Sequence, residues 1–505
     1  MKKFNNKLTA VLVLSIAAVL AGCTQTSTSS QPGSSSQQPS SSASSAPEVV
    51  TKEVEVYNGE AVTINFYHTM SKDKLQPVLQ AAIDRFNEMY PNIKVVHQQV
   101  GNYNDVRDQI KTEISVGAQP NLAYCYPDHV ALYNQAKAVR TLDDFIVSTK
   151  DQTTYETDAT LRTTSKFGLT DAQKADFIEG YYNEGRGFGD GYMYTLPFSK
   201  STEVLYYNKT FFEANNLTVP TTWDEVEEVA RKIKAIEPAS IPLGYDSESN
   251  WFITMAEQYG NPYTAAVKKV DDRFLFDNDG NKAFVKEFAS WYKEGLVTTQ
   301  KLYGAYTSGL FTNLEEDENG KLIRCLMCIG STGGANHQRP VKGKDGKYPF
   351  EVGIAPLPQV DKANPKAISQ GPSVVMFKST PQEEAASWLL LEFLTTDVSF
   401  QAGFSEVSGY MPVLNSVAEN DAFKAYLAKA DGGDNITALS TKVAFEQRES
   451  YYVSPAFIGS SEARDQVGNI ITGAMTAAAS AGGLTDAKLN DIFAEAIDEC
   501  IYNTK

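Results

Sequence analysis

The sequence predicts an α/β protein of two lobes with a hinge between them. Three observations carry that expectation. From about Glu53 the chain alternates strand and helix patterns, the second half repeats the alternation with different residues, and 505 residues exceed what one core usually holds.

The elements follow in order. Ala61–Tyr67 alternates apolar and polar residues as a strand does, and Leu75, Val78, Leu79, Ala82, Ile83 and Phe86 recur at helical spacing until Pro91. Ile93–Val100 reads as a strand. Val106, Ile110 and Ile114 line a helix closed by Gly117, and Leu122–Tyr126 is a third strand. Such a series implies a parallel sheet with right-handed crossovers, whose ligands bind beyond the carboxyl ends of the strands. Further on, Thr222-Trp-Asp-Glu225 is a capping box opening a helix through Ile233. Phe284, Phe288 and Trp291 mark a helix ending at Gly295. Ser373–Lys378 reads as a strand, with Pro381 and a Leu-rich helix from Ala385 to Leu394 after it.

The amino terminus reads as an export signal. Lys2, Lys3 and Lys7 precede an apolar run, Leu8–Leu20, too short to span a bilayer, and the run ends Leu20-Ala-Gly-Cys23. That end resembles a bacterial lipobox, which implies cleavage before Cys23 and lipid attachment to its thiol. Residues 24–47 carry no charge and are mostly Ser, Thr, Gln and Pro. Such a segment has little to bury and reads as a disordered tether of about 25–30 Å.

Composition excludes several functions. Sixty-two acids against 45 bases give a net charge of −17, a poor basis for clamping nucleic acid. Aromatic content of 11% rules out a mostly disordered chain. Cys125, Cys325, Cys328 and Cys500 suggest no disulfide framework. Cys325 and Cys328 sit in an apolar run, LIRCLMCI, whose strand reading puts them on opposite faces as buried free thiols.

Catalytic signatures are missing. No G-x-S-x-G, H-E-x-x-H or P-loop occurs, and none of the four histidines (His68, His97, His129, His337) lies within four residues of another. Gly185–Gly189 lacks the strand–turn–helix context of a phosphate loop. Glu315–Gly320 resembles the start of a calcium loop but has Leu326 where a bidentate Glu is needed. The expectation is a protein that is not an enzyme and uses no cofactor or metal. A glycoside hydrolase needs only two carboxylates, so it stays open as a distant alternative.

Several segments together resemble the extracellular solute-binding proteins, family 1, which deliver solutes to ABC importers. They are Phe66–Met70, Gly101–Tyr103, Leu196–Thr202, Leu205–Lys209, Gly353–Pro358, Gln370–Ser373 and Ser408–Pro412. The resemblance implies a type II periplasmic-binding-protein-like fold. Its lobes would be 53–197 plus 354–405 and 198–353 plus 406–505, after a signal (1–22) and a tether (23–52). Crossings between lobes would fall near Pro197–Thr202, Gly353–Pro358 and Ser405–Tyr410.

Similarity to the glycerol-3-phosphate-binding members implies particular ligand contacts. Tyr103 would be an aromatic contact, Ser201 a hydroxyl contact and Trp251 a wall, with Ser331 and Gly371 hydrogen-bonding the ligand. Tyr410 and Arg464 would hold a phosphate, as a guanidinium fork and neutral donors suit. The acid that reads glycerol hydroxyls falls at Pro127, with Asp128 beside it. Asp128 also suits an N-cap of a helix beginning near His129. The expected partners are a small polar solute, glycerol-3-phosphate or a glycerophosphodiester, and a membrane permease. A neutral oligosaccharide is the nearer alternative. The chain would be a monomer, lipid-anchored at the extracytoplasmic face of the cell membrane, and would not bind nucleic acid.

Overall fold

In a computed structural model of the chain, residues 49–155, 162–430 and 435–505 are described. The expected signal, Cys23 and most of the tether lie outside them. The body is anchored from Lys52 onward. The Lys52 amide donates to Asp144 Oδ1 at 2.6 Å, and Val54 and Tyr57 are buried.

Two five-stranded sheets organise the body. The first has the order Ile93–Gln99, Val62–His68, Leu122–Cys125, Ser373–Met376, Thr195–Pro197. Its first three strands are parallel, and Ser373–Met376 runs antiparallel to both its neighbours. The second sheet has the order Val352–Pro356, Glu203–Asn208, Met327–Ser331, Leu243–Tyr245, Val297–Thr299. Each sheet carries its own core. Phe66, Phe86, Phe198, Trp388 and Phe404 belong to the first, and Trp251, Phe288, Ile329, Val467 and Phe493 to the second. This is the expected α/β architecture.

Local sequence explains most boundaries. The helix Leu75–Met89 stops short of Pro91, and Tyr103–Ile114 is opened by Asn102, whose side chain caps the amides of Asn104 and Asp105. The Thr222–Glu225 capping box forms as expected, and its helix runs to Ile236. The cysteine run departs from expectation. The strand begins only at Met327, after a bend at Leu326, so alternation does not extend back to Cys325. Cys325 and Cys328 therefore share one buried cluster instead of facing apart, both as free thiols.

The crossings also differ in part. Val352–Pro356 is an integral strand of the second sheet, paired with Glu203–Asn208, so the chain returns to the first sheet only after Gln370. Near Ser405–Tyr410 the chain makes a turn within the first core, since Phe400, Phe404, Val413, Leu414 and Val417 all pack there. The helix Ile436–Glu446 is the element shared between cores. Its Ala438 packs with the first, while Ile436 and Val443 pack with Val204 and Tyr206 of the second sheet.

At the first sheet's edge, hydrogen bonds fix the tautomers of two histidines. The Met70 amide donates to His68 Nδ1 at 3.1 Å, so His68 Nε2 carries the proton and donates to His97 Nδ1 at 2.9 Å. His97 Nε2 then donates to Gln80 at 3.2 Å. Burial pushes His68 down to about 3, with the charge of His97 adding to it. An unfolded histidine titrates near 6.5, so this contribution to stability is complete above about pH 6.5 and is lost as pH falls toward 3. Burial holds Glu203 and Glu392 up at about 7, which works in the opposite direction between about pH 4.5 and 7. The measurement is therefore a comparison of variants. Between pH 7 and 5, wild type should lose about 2 kcal/mol more in urea unfolding than His68→Asn. Equal pH slopes would refute the assignment.

Candidate ligand-binding cleft

Three extended segments meet between the sheets and form a hinge. Ser201 and Gln370 exchange backbone hydrogen bonds of 2.7 and 2.9 Å, and Lys200 and Met411 exchange bonds of 3.0 and 2.6 Å. These pairings join Ser199–Thr202, which links the sheets directly, to Ser369–Pro372 and to Gly409–Pro412. Ser201 is thus buried in the hinge, with its backbone committed to it.

Gly371 is required for its backbone. Its φ is +108°, and a Cβ there would sit 2.7 Å from the Ser199 carbonyl and 2.9 Å from the Ser201 nitrogen. Gly371→Ala should cost about 1–3 kcal/mol from backbone strain alone, with the clash adding to it. A thermal midpoint unchanged from wild type would contradict this.

Beneath Gly371 lies a buried ion pair. Lys200 Nζ, fully buried, bonds Glu184 Oε2 and donates to the Gly371 carbonyl and to Ser373 Oγ, both at 3.2 Å. Ser373 Oγ donates in turn to Glu184 at 3.3 Å.

Aromatic rings line the first-lobe side. Tyr103 packs on Tyr126 with centroids 4.4 Å apart and stacks on Tyr124 at 5.9 Å. Its hydroxyl lies 3.2 Å from that of Tyr410. Burial, together with the neighbouring phenols, raises the Tyr103 hydroxyl far above its ordinary value, so it stays a neutral donor. Tyr410 follows Gly409, whose φ of +79° ends the helix Val398–Ser408 and turns the chain into the hinge.

Arg464 projects from the helix Ser460–Ala479 on the opposite side, where its Nη2 bonds Asn250 Oδ1. Two cavities meet at this arginine. An inner one of about 60 Å³ lies among Tyr126, Asp128, Glu184, Tyr263, Gln370 and Arg464. An outer one of about 810 Å³ is also lined by Tyr126, Asp128 and Arg464, together with Arg107, Lys301 and Asp465. Arg107 spans the outer rim, reaching Ser461 Oγ at 3.3 Å and Asp465 at 3.4 Å.

The expected site residues thus divide into groups. Asp128, Gly371 and Arg464 line the inner cavity, and Tyr103 and Tyr410 pair beside it. Asp128 is not the N-cap: Tyr126 holds that position, Pro127 opens the helix Pro127–Gln135, and Asp128 makes no capping bond. Ser331 sits at the end of its strand, where its Oγ accepts from the Gly333 amide at 3.2 Å. Trp251 lines neither cavity. It is fully buried in the second core, stacked on Tyr245 at 4.8 Å and Phe288 at 4.1 Å. Glu184, Asn250, Tyr263 and Gln370 are in the cleft region but were not foreseen. Only Gln370 lay in a segment the sequence singled out.

Two α/β lobes joined by hydrogen-bonded crossings, with a polar and aromatic cleft between them, define a solute-binding receptor. Residues 81–430 match the family described as bacterial extracellular solute-binding protein, and the chain belongs to that family. Such proteins capture solutes for ABC importers. Among curated relatives, the sn-glycerol-3-phosphate-binding periplasmic protein UgpB of Salmonella typhimurium is 24% identical over 394 residues, spanning 75% of this chain and 82% of that protein. UgpB of Escherichia coli K12 is also 24% identical, over 75% of this chain and 81% of its own. In fold the chain is similar to UgpB of Mycobacterium tuberculosis in complex with glycerophosphocholine, with a TM-score of 0.65 and 17% identity over 87% of this chain and 98% of that one. It is also similar to Lmo0181 of Listeria monocytogenes in complex with cycloalternan, with a TM-score of 0.65 and 15% identity over 87% and 99%.

Proposed function

We propose that this protein captures glycerol-3-phosphate or a glycerophosphodiester in the cleft and presents it to the permease of an ABC importer. The observation that carries the reading is Arg464, a guanidinium at the junction of two cavities, the inner one lined also by Tyr126, Tyr263, Gln370 and the carboxylates of Asp128 and Glu184. A phosphate needs that fork and a partly desolvated setting. Asp128 and Glu184 would accept from glycerol hydroxyls. The name of the curated relatives, UgpB, supports the same ligand class.

The lobes follow the two cores and turn about Ser199–Thr202 and Ser369–Pro372. The inner cavity has room for no more than a few waters, so a solute enters with the lobes parted and is enclosed when they close. The receptor acts as a monomer, without covalent chemistry, held to the extracytoplasmic face through a lipid on Cys23. No helix among the described residues is long and apolar enough to cross a membrane.

A neutral oligosaccharide is the second reading, favoured by the packed rings of Tyr103 and Tyr126 beside the two carboxylates. A thermal-shift panel separates the two. Glycerol-3-phosphate or glycerophosphodiesters at a hundredfold excess over Kd should stabilise the protein by about 2.7 kcal/mol. A shift with oligosaccharides alone would replace the first reading with the second, and turnover of an oligosaccharide would point to a hydrolase.

A further inference from the structure

We propose that Asn250 is a positioning residue that fixes the Arg464 guanidinium in the cleft and ties it to the hinge. The proposal rests on reading Arg464 as the anion contact. Asn250 stands in the first turn of the helix Glu248–Tyr259, where its amide donates to the capping Ser247 Oγ at 3.2 Å. Its side chain is buried, so each of its polar atoms needs a partner.

The amide's orientation follows from chemistry. A guanidinium has only donors, so the oxygen must be the atom that faces Arg464. Nδ2 then donates to Glu203 Oε1 at 2.7 Å and to Gln370 Oε1 at 2.8 Å. The other oxygen of Glu203 accepts from the Tyr245 hydroxyl at 2.5 Å. With both amide protons and the oxygen engaged, rotating Asn250 would leave buried groups unmatched.

The two acceptors lie where the chain crosses between sheets. Glu203 follows Ser199–Thr202 directly, and Gln370 forms the Ser201 bridge. Gln447 locks the same corner. Its Nε2 donates to Thr202 Oγ1 at 2.9 Å and to the Glu203 carbonyl at 2.8 Å, and its Oε1 accepts from the Leu357 amide at 3.1 Å. An anion that draws on Arg464 therefore pulls, through one amide, on both crossing segments. Asn250 need not touch the ligand to affect binding.

The test measures glycerol-3-phosphate binding by calorimetry in wild type, Asn250→Ala, Arg464→Ala and the double variant. Asn250→Ala should weaken binding about tenfold or more, and the double variant should bind no worse than Arg464→Ala. Losses that add independently would overturn the proposal, as would an unchanged Kd in Asn250→Ala. Asn250→Asp keeps the shape but cannot donate to Glu203 or Gln370. It covers the case in which the alanine variant fails to fold, and wild-type affinity in it would also overturn the proposal. If wild type binds no glycerophosphate, the ligand reading fails, and a crystal structure of an Asn250 variant decides the inference separately. A displaced Arg464 guanidinium supports it, and an unmoved one refutes it.

Discussion

Arg464→Ala should lower affinity for glycerol-3-phosphate about 100-fold or more while leaving any neutral-sugar affinity within a fewfold of wild type. A phosphate takes at least one charge-assisted bond from a guanidinium, worth about 1.5–3 kcal/mol, and two when the fork binds both oxygens. Arg464 reaches the cleft from the second lobe, hydrogen-bonded to Asn250, and its removal leaves no other arginine at the inner cavity among the described residues. Arg107 and Lys301 line only the outer cavity, and Arg107 is already paired with Asp108 and Asp465. Paired titrations with glycerol-3-phosphate and an oligosaccharide separate charge recognition from general damage to the cleft. Equal losses for both ligands would sink the phosphate assignment.

Lys200→Met should lower stability by about 3–5 kcal/mol, the cost of leaving a buried partner uncompensated. Both side chains lie inside the hinge, 0% and 3% exposed, so Glu184 would keep only the little solvation the small inner cavity allows once its partner is gone. The Gly371 carbonyl and Ser373 would lose a donor at the same time. Replacing both ends, as in Lys200→Met with Glu184→Leu, should recover most of the loss, because no isolated charge remains to be buried. Urea unfolding of the single and double variants provides the measurement. A single variant as stable as wild type, or a double variant worse than either single, would show that the pair does not act as a unit. Glu184 lines the inner cavity, so the double variant should also bind a hydroxylated ligand more weakly even where its stability recovers.

Legibility followed the range of the forces involved. Period and capping are local, so the helix from Leu75, the box at Thr222 and the alternation of strands could be read directly. The edges of the cysteine strand could not, because the bend at Leu326 depends on contacts from other elements. The crossing near Pro197–Thr202 was read correctly, and the other two failed for a related reason. Lys200 pairs with Met411 and Ser201 with Gln370, ladders whose partners lie far apart in the chain, so that neither segment by itself shows the pairing. Val352–Pro356 looked like a link until its pairing with Glu203–Asn208 made it a sheet strand.

Adjacent residues of one helix show the limit most clearly. Neighbours on a helix point about 100° apart. The packing that buries Trp251 against Tyr245 and Phe288 therefore turns Asn250 away from that stack, toward Arg464 and the hinge. The sequence singled out the indole, the more conspicuous of the two, and passed over the amide.

By itself, then, the sequence determined the α/β class and the receptor family, and raised the expectations of an export signal and of a ligand contact at one arginine. Each of these rests on local pattern, composition or ordered motifs. Tertiary structure alone decided which polar groups surround that arginine, where the lobes are joined and which aromatic rings serve the core. Those outcomes depend on burial and on hydrogen bonds between distant segments, and both exist only once the two sheets have come together.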